Sequence, residues 1–212
     1  MLNELVHKFS SRTLLHVLLI SLPLIGTSPH SYGQDYPRWE SFTGFSYAHV
    51  SFGPEAATFQ PTDQNYFGMH VNAGFNPRSY LRILLCDFSV QLGGTKINVA
   101  PEHADVRTSQ ILFGPEFVWR SGKTAPFAHA LVGMTNARLV SRIGGSDIVP
   151  DLVNHTSLAF GVGGGFDVQL ARMFSLRAVE ADYIPTLISG SWQNHLRVSS
   201  GLVWTFGYTK EK

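Results

Sequence analysis

The residues of this chain that could do chemistry are dispersed. His70, Asp87, Glu116, His129, Asp167, Glu180, Asp182 and Arg197 are the ones whose position in their own stretch sets them opposite an apolar face, and Arg177 joins them if a bulge intervenes in its strand. The nine histidines are scattered and show no metal-ligand spacing such as H-E-x-x-H, so the linear sequence assigns no metal and no cofactor. One pair has a nucleophile's spacing: His155 and Ser157 stand two apart, on one face of a strand. A hydroxyl nucleophile needs a base within hydrogen-bond reach and a group behind that base to orient it. No Glu follows nearby, and Glu180 reads as inward-facing on the next strand, so no catalytic residue is assigned.

The elements that must hold the charged set are read from residues 158–169, LAFGVGGGFDVQ. One parity gives Leu158, Phe160, Val162, Gly164, Phe166 and Val168; the other gives Ala159, Gly161, Gly163, Gly165, Asp167 and Gln169. Successive side chains of a strand point to opposite faces, so this strand has one greasy face and one nearly free of side chains. A helix would scatter both sets and would be penalised by the glycines. A soluble sandwich shows water Lys, Glu and Thr. A face of glycines with an Asp and a Gln suits the crowded interior of a narrow barrel whose greasy face meets lipid.

Seven further stretches alternate in the same way. Residues 39–50 set Phe45 and Tyr47 against Gly44, Ser46 and Ala48. Residues 65–76 set Phe67, Met69, Val71, Ala73 and Phe75 against Gly68, His70, Asn72 and Gly74. Residues 80–92 set Leu84, Cys86, Phe88, Val90 and Leu92 against Asp87, Ser89 and Gln91, although Leu81, Ile83 and Leu85 make the first half apolar on both faces. Residues 108–119 set Ile111, Phe113, Pro115, Phe117 and Trp119 against Gln110, Gly114 and Glu116; Pro115 cannot donate a ladder bond, which suggests a bulge. Residues 126–138 set Ala128, Ala130, Val132 and Met134 against His129, Gly133 and Thr135. In residues 174–184 the parity of Arg177 differs from that of Glu180 and Asp182, so either Arg177 sits at the membrane edge or a bulge intervenes. Residues 195–206 set Leu196, Val198, Leu202, Trp204 and Phe206 against Arg197, Ser199, Gly201 and Thr205.

Connections alternate long and short. Residues 51–64, 93–107, 139–155 and 185–194 are long and polar; 77–79, 121–125 and 171–172 are short. Bacterial outer-membrane barrels have tight turns on the periplasmic side and longer loops outside. Trp39, Tyr66, Tyr80, Trp119, Tyr183, Trp192, Trp204 and Phe206 cluster near strand ends, as in interfacial girdles.

The first 33 residues read as a secretory signal peptide. Lys8 and Arg12 precede an apolar run at 14–25, and Ser31-Tyr32-Gly33 fits a small-x-small cleavage site. The run is about a dozen residues, where a spanning helix needs about 20. The expected organisation is therefore a signal peptide at 1–33 and one barrel domain at 34–212. Removing Lys8, Arg12 and Glu4 from the 16 basic and 15 acidic residues leaves fourteen of each, which gives no reason to expect nucleic acid. Charged residues are only 15% of the chain, below the roughly 25% of soluble proteins. The single cysteine, Cys86, cannot form an internal disulfide.

From residue 39 to residue 207 the chain resembles the eight-stranded outer-membrane β-barrels of the OmpA transmembrane-domain type, also called porin-like. The likeness rests on FTGFSY at 42–47, PFAHALVG at 126–133, LAFGVGGGFDV at 158–168, SLRAVEADY at 175–183 and LRVSSGLVWTFG at 196–207. The last resembles the C-terminal insertion signal of such barrels, carried here by Leu202, Trp204 and Phe206, although this chain runs on for six residues. The downstream peptidoglycan-binding domain of full-length relatives has no counterpart, so anchoring to the cell wall is not carried over.

The resemblance implies an all-β, closed, up-and-down transmembrane barrel that is inserted by the barrel-assembly machinery and surrounded by outer-membrane lipid and lipopolysaccharide. Four loops would face outside, where binding of an extracellular ligand would reside. Arg107, Arg138 and Arg142 flank them and suit lipopolysaccharide phosphates. The expected role is structural or envelope-interacting; a small porin or narrow ion channel is the alternative. Lipid A deacylases are also eight-stranded barrels with a His-x-Ser pair, but the rest of that signature is missing. A soluble lipid-binding barrel competes at the level of fold. The charged set would form a paired network in the lumen, because unpaired buried charges are very costly.

Overall fold

The computed structural model describes residues 35–51, 63–96, 103–143, 146–188 and 191–210. The signal peptide expected at 1–33, and residues 52–62 of the first long connection expected, lie outside the described residues. Eight antiparallel strands close into one barrel: β1 (Asp35–Ser51), β2 (Asp63–Arg78), β3 (Leu81–Lys96), β4 (His103–Val118), β5 (Thr124–Ile143), β6 (Ser146–Ala171), β7 (Phe174–Ile188) and β8 (Ser191–Lys210). Each pairs with its chain neighbour, and β1 closes on β8 from Asp35↔Lys210 to Ser51↔Asn194. Closure leaves no sheet edge, so the spanning strands satisfy their backbone groups by pairing with each other where water cannot.

The barrel is greasy outside and polar inside. Phe45 is 80% exposed and Phe67 70%, whereas His70, Asp87, Glu116, Arg177 and Glu180 are each 0% exposed. Leu202, Trp204 and Phe206 all point outward. A soluble lipid-binding barrel would have these faces exchanged, because its apolar side chains must leave water. The inversion makes this a transmembrane barrel.

Two bulges reconcile the strands with a single inward face. On β3 the register shifts by one between Leu84 and Asp87, seen from both β2 and β4. The shift turns Leu84 into the lumen, correcting the outward facing expected for it, and Cys86 stays on the lipid side of the bulge, half-buried. Pro115 itself lies in register opposite Ile83, so the bulge suggested for β4 lies on its neighbour. On β7 the shift lies between Arg177 and Glu180, which puts both side chains inside and decides between the two readings of that strand.

Three further expectations change. Tyr66 is 1% exposed and points inward instead of joining the aromatic girdle; Gly93 leaves the space its ring fills, since a Cβ there would lie 2.0 Å from the ring. The connections at 93–107, 139–155 and 185–194 are mostly strand, and 97–102, 144–145 and 189–190 lie outside the described residues. Their polarity marks where the apolar belt stops, not where backbone pairing stops. Finally, β8 continues past Phe206 through Gly207, whose φ of 64° lies in the region glycine favours, and Tyr36–Pro37 pair with Thr209–Tyr208.

Apolar side chains share the lumen with the polar ones. Leu84, Leu112, Leu131, Ala159 and Ile184 form one buried cluster across β3 to β7. Ala48, Val50 and Tyr66 form a second.

Candidate functional site in the lumen

All nine residues singled out for the lumen are inside and in contact with one another. Arg177 forks onto Asp167, Nε to Oδ1 at 2.8 Å and Nη2 to Oδ2 at 3.0 Å, and reaches Glu180 Oε2 at 3.0 Å. Arg197 bridges two strands: Nε donates to Asp182 Oδ2 at 2.8 Å and Nη1 to Asp87 Oδ1 at 2.9 Å. His70 Nε2 lies 2.7 Å from the other Asp87 oxygen. His129 Nε2 lies 2.8 Å from Asp182 Oδ1 and its Nδ1 3.2 Å from Glu116 Oε2. Arg177 also stacks over Phe127 at 4.2 Å and Phe42 at 4.6 Å from the ring centroids, contacts that favour a weakly hydrated guanidinium.

Four partners were not singled out by the sequence. Arg82 donates to Glu116 and Glu40; Arg120 donates to Glu40 and to the backbone carbonyl of Ser79; Asn76 Nδ2 donates to Glu40 Oε1 at 2.9 Å. Glu40 and Asn76 keep the inward parity of Gly44 and His70, so the signal is present in β1 and β2. Arg82 is hidden by the β3 bulge, and Arg120 lies just past the end of β4.

The glycines of β6 make room for this network. A Cβ on Gly163 would sit 2.0 Å from Asp182 Oδ1 and 2.9 Å from His129 Nε2. The almost side-chain-free face is thus the wall against which β5 and β7 set their charges.

The network's hydrogen bonds fix protonation. Both ring nitrogens of His129 face carboxylate oxygens, which only accept, so both carry hydrogen and the ring is an imidazolium. Six carboxylates (Glu40, Asp87, Glu116, Asp167, Glu180, Asp182) then meet four guanidiniums and one imidazolium. Among the described residues of the network the carboxylates outnumber these cations by one, and His70 Nδ1 stands 3.6 Å from Glu180 Oε2. Glu180 Oε1 is buried with no hydrogen-bond partner. At the short-turn end a cavity of about 160 Å³ opens onto Glu40, Arg82, Arg120, Lys123, Asp167 and Tyr208.

The nucleophile spacing gains nothing from the fold. Glu180 pairs with Gly165, and Ser157 lies roughly 26 Å further along β6 at about 3.3 Å per residue. The side chains of His155, Arg138 and Arg142 lie outside the described ones; Arg107 is exposed on β4.

Comparison with known proteins gives the fold a context. No family model matches the chain, and no curated protein matches it. Solved structures do. The crystal structure of Neisserial surface protein A covers 79% of this chain and 97% of its own, at 18% identity and a TM-score of 0.56. That of Ail, the attachment invasion locus protein of Yersinia pestis, covers 79% and 99% at 12% identity and 0.53. Ail in complex with the heparin analogue sucrose octasulfate covers 78% and 99% at 13% identity and 0.51. The fold is that of the eight-stranded outer-membrane barrels.

Proposed function

We propose that this chain is an OmpA-type integral barrel of the bacterial outer membrane with a structural, envelope-interacting role and no enzymatic activity. The observation that carries this reading is the lumen: guanidiniums and carboxylates pair across it, and two buried apolar clusters pack beside them. A barrel packed in this way is a rigid plug in the membrane that holds its hairpins outside. In the proposed orientation the termini and short turns face the periplasm, after cleavage near Gly33. The barrel-assembly machinery would read Leu202, Trp204 and Phe206. Lipopolysaccharide would surround the outward aromatics, and the outer hairpins would meet extracellular ligands.

The test is a pair of measurements on residues 34–212 refolded in detergent. Gel mobility should change on boiling, as for a closed membrane barrel, and planar bilayers should show negligible conductance. Discrete conductance altered by neutralising Arg197 or Glu116 would replace this reading with a narrow ion channel. A lipid A profile changed by Ser157→Ala would replace it with a lipid-modifying enzyme.

A further inference from the structure

We infer that the short-turn rim of the barrel is a docking ring for the anionic headgroups of phospholipids in the leaflet where it stands. Five cations are exposed on this rim and spread around its circumference. They are Arg38 on β1, Arg78 at the end of β2, Lys123 in the turn before β5, Arg172 in the turn after β6 and Lys210 on β8. Among the described residues of the rim the one exposed carboxylate is Asp35, whose register partner is Lys210. No ion pair joins Arg38, Arg78, Lys123 or Arg172 to a carboxylate among the described residues. The opposite end has the reverse balance. The long connections at 51–64, 93–107, 139–155 and 185–194 carry six acidic and three basic residues, with Arg138 at their border. The two ends of a chain with little net charge thus differ in sign, and the short-turn end is the one that attracts anions.

Placement as well as charge points to lipid. Arg38 precedes Trp39, Arg78 stands two residues before Tyr80, and Arg172 lies between Leu170 and Met173, all four of these apolar neighbours being exposed. The Arg38 guanidinium lies over Phe75, 5.5 Å from the ring centroid, and Phe75 packs against the outward Trp39. That of Arg172 lies over Tyr208 at 4.9 Å. A basic side chain with apolar support along its stem and a free charged head is built for the boundary between hydrocarbon and water. A guanidinium there meets phosphate oxygens with its fork of donors.

An acidic protein partner would need the cations gathered on one side. Here they stand at all three short turns or strand ends and at both ends of the described chain, which matches an annulus of lipid. The mouth of the lumen inside the ring offers anions no rival site. Its cavity is lined by three carboxylates, Asp35, Glu40 and Asp167, and by three cations, Arg82, Arg120 and Lys123. The ring presupposes the outer-membrane barrel proposed above, and in that orientation the leaflet is the periplasmic one.

The experiment refolds residues 34–212 into phosphatidylcholine vesicles that contain phosphatidylglycerol, with one lipid or the other brominated in its acyl chains. Tryptophan quenching then reports which lipid adjoins each reporter. Trp119→Phe and Trp204→Phe are common to both reporters. Adding Trp192→Phe leaves Trp39, beside Arg38; adding Trp39→Phe leaves Trp192, exposed near the outer end of β8. Trp39 should see phosphatidylglycerol preferred roughly threefold to fivefold, the effect of about one interfacial cation, and Trp192 less than about 1.5-fold. Arg38→Gln, Arg78→Gln and Arg172→Gln together should bring Trp39 down to the Trp192 value. A preference at Trp39 below about 1.5-fold, an equal preference at both tryptophans, or one undiminished in the triple variant overturns the ring. Should the triple variant not fold, the comparison of Trp39 with Trp192 decides alone. A boiling-dependent gel shift keeps two failures apart: a folded barrel without the preference overturns the ring alone, and no shift overturns the membrane-barrel reading with it.

Discussion

Arg177 and Asp167 meet through two parallel hydrogen bonds, at 2.8 and 3.0 Å, although they stand on different strands and only a bulge in β7 lets the arginine face inward. A forked pair of this kind is stronger and more directional than a single contact. It is also a liability, because removing one partner strands the other charge in the interior.

Arg177→Met should therefore destabilise the barrel by about 3–5 kcal/mol, because Asp167 and Glu180 lose their guanidinium together. Asp167→Asn added to it should recover part of the loss, since one stranded charge is gone. Urea titrations in detergent, read by tryptophan fluorescence and set out as a double-mutant cycle, measure both. A loss below about 1 kcal/mol would mean that water screens the pair, as it does at a protein surface.

Gly163→Ala should cost about 1–3 kcal/mol, because the new methyl meets Asp182 Oδ1 at 2.0 Å and the carbonyl oxygen of Ala181 at 2.6 Å. Gly161→Ala, one inward position further along the same strand, should cost much less. Its nearest neighbours are Leu112 Cδ1 at 3.2 Å and Leu131 Cβ at 3.4 Å, the first a side-chain end that can yield. The two unfolding midpoints, compared directly, distinguish a wall shaped for the charges from a face that is merely small.

The two glycines also show how far the sequence can be read. Alternation in residues 158–169 is sufficient to give strand, facing and barrel, because a period of two with one empty face fits a narrow barrel wall and little else. The same logic places Asp87, Glu116, Asp167 and Arg197. It fails where the period breaks. The β3 bulge hides Arg82 and misdirects Leu84, and a polar run that reads as loop at 139–155 is strand at 139–143 and 146–155. Tyr66 is ambiguous in sequence because an aromatic at a strand end suits a girdle or a lumen equally. The grouping of His70, Asp87 and Glu180 is not legible at all. It is made by three strands that meet across the lumen, and no spacing along the chain records that distance.

Val162→Lys tests the lipid face. Val162 is 62% exposed, sits within the apolar belt of β6 and touches nothing in the network. In a soluble barrel a lysine there would be harmless. In a bilayer it should cost about 2–4 kcal/mol near the midplane, falling toward zero at the interfaces. Folding titrations in phospholipid vesicles give the number. The expected contrast is with Arg107→Lys, which keeps its charge at an exposed position on β4 and should leave stability unchanged.

The protonation of His129 can be observed directly. Its Nδ1 stands 3.2 Å from Glu116 Oε2 and its Nε2 2.8 Å from Asp182 Oδ1, and neither oxygen can donate while ionised. Arg82 on Glu116 and Arg197 on Asp182 hold both carboxylates in the ionised form. Neutral imidazole would leave one nitrogen lone pair facing a carboxylate lone pair in a dry interior, an arrangement that costs far more than carrying the extra proton. The ring should therefore show the paired nitrogen-15 shifts of imidazolium at neutral pH, in a barrel labelled at histidine and assigned by comparison with His129→Gln. A spectrum of neutral tautomer at that position would break the charge count of the network. It would also mean that Glu116 or Asp182 carries the proton, and the ion pairs to Arg82 and Arg197 would then be weaker than their geometry implies.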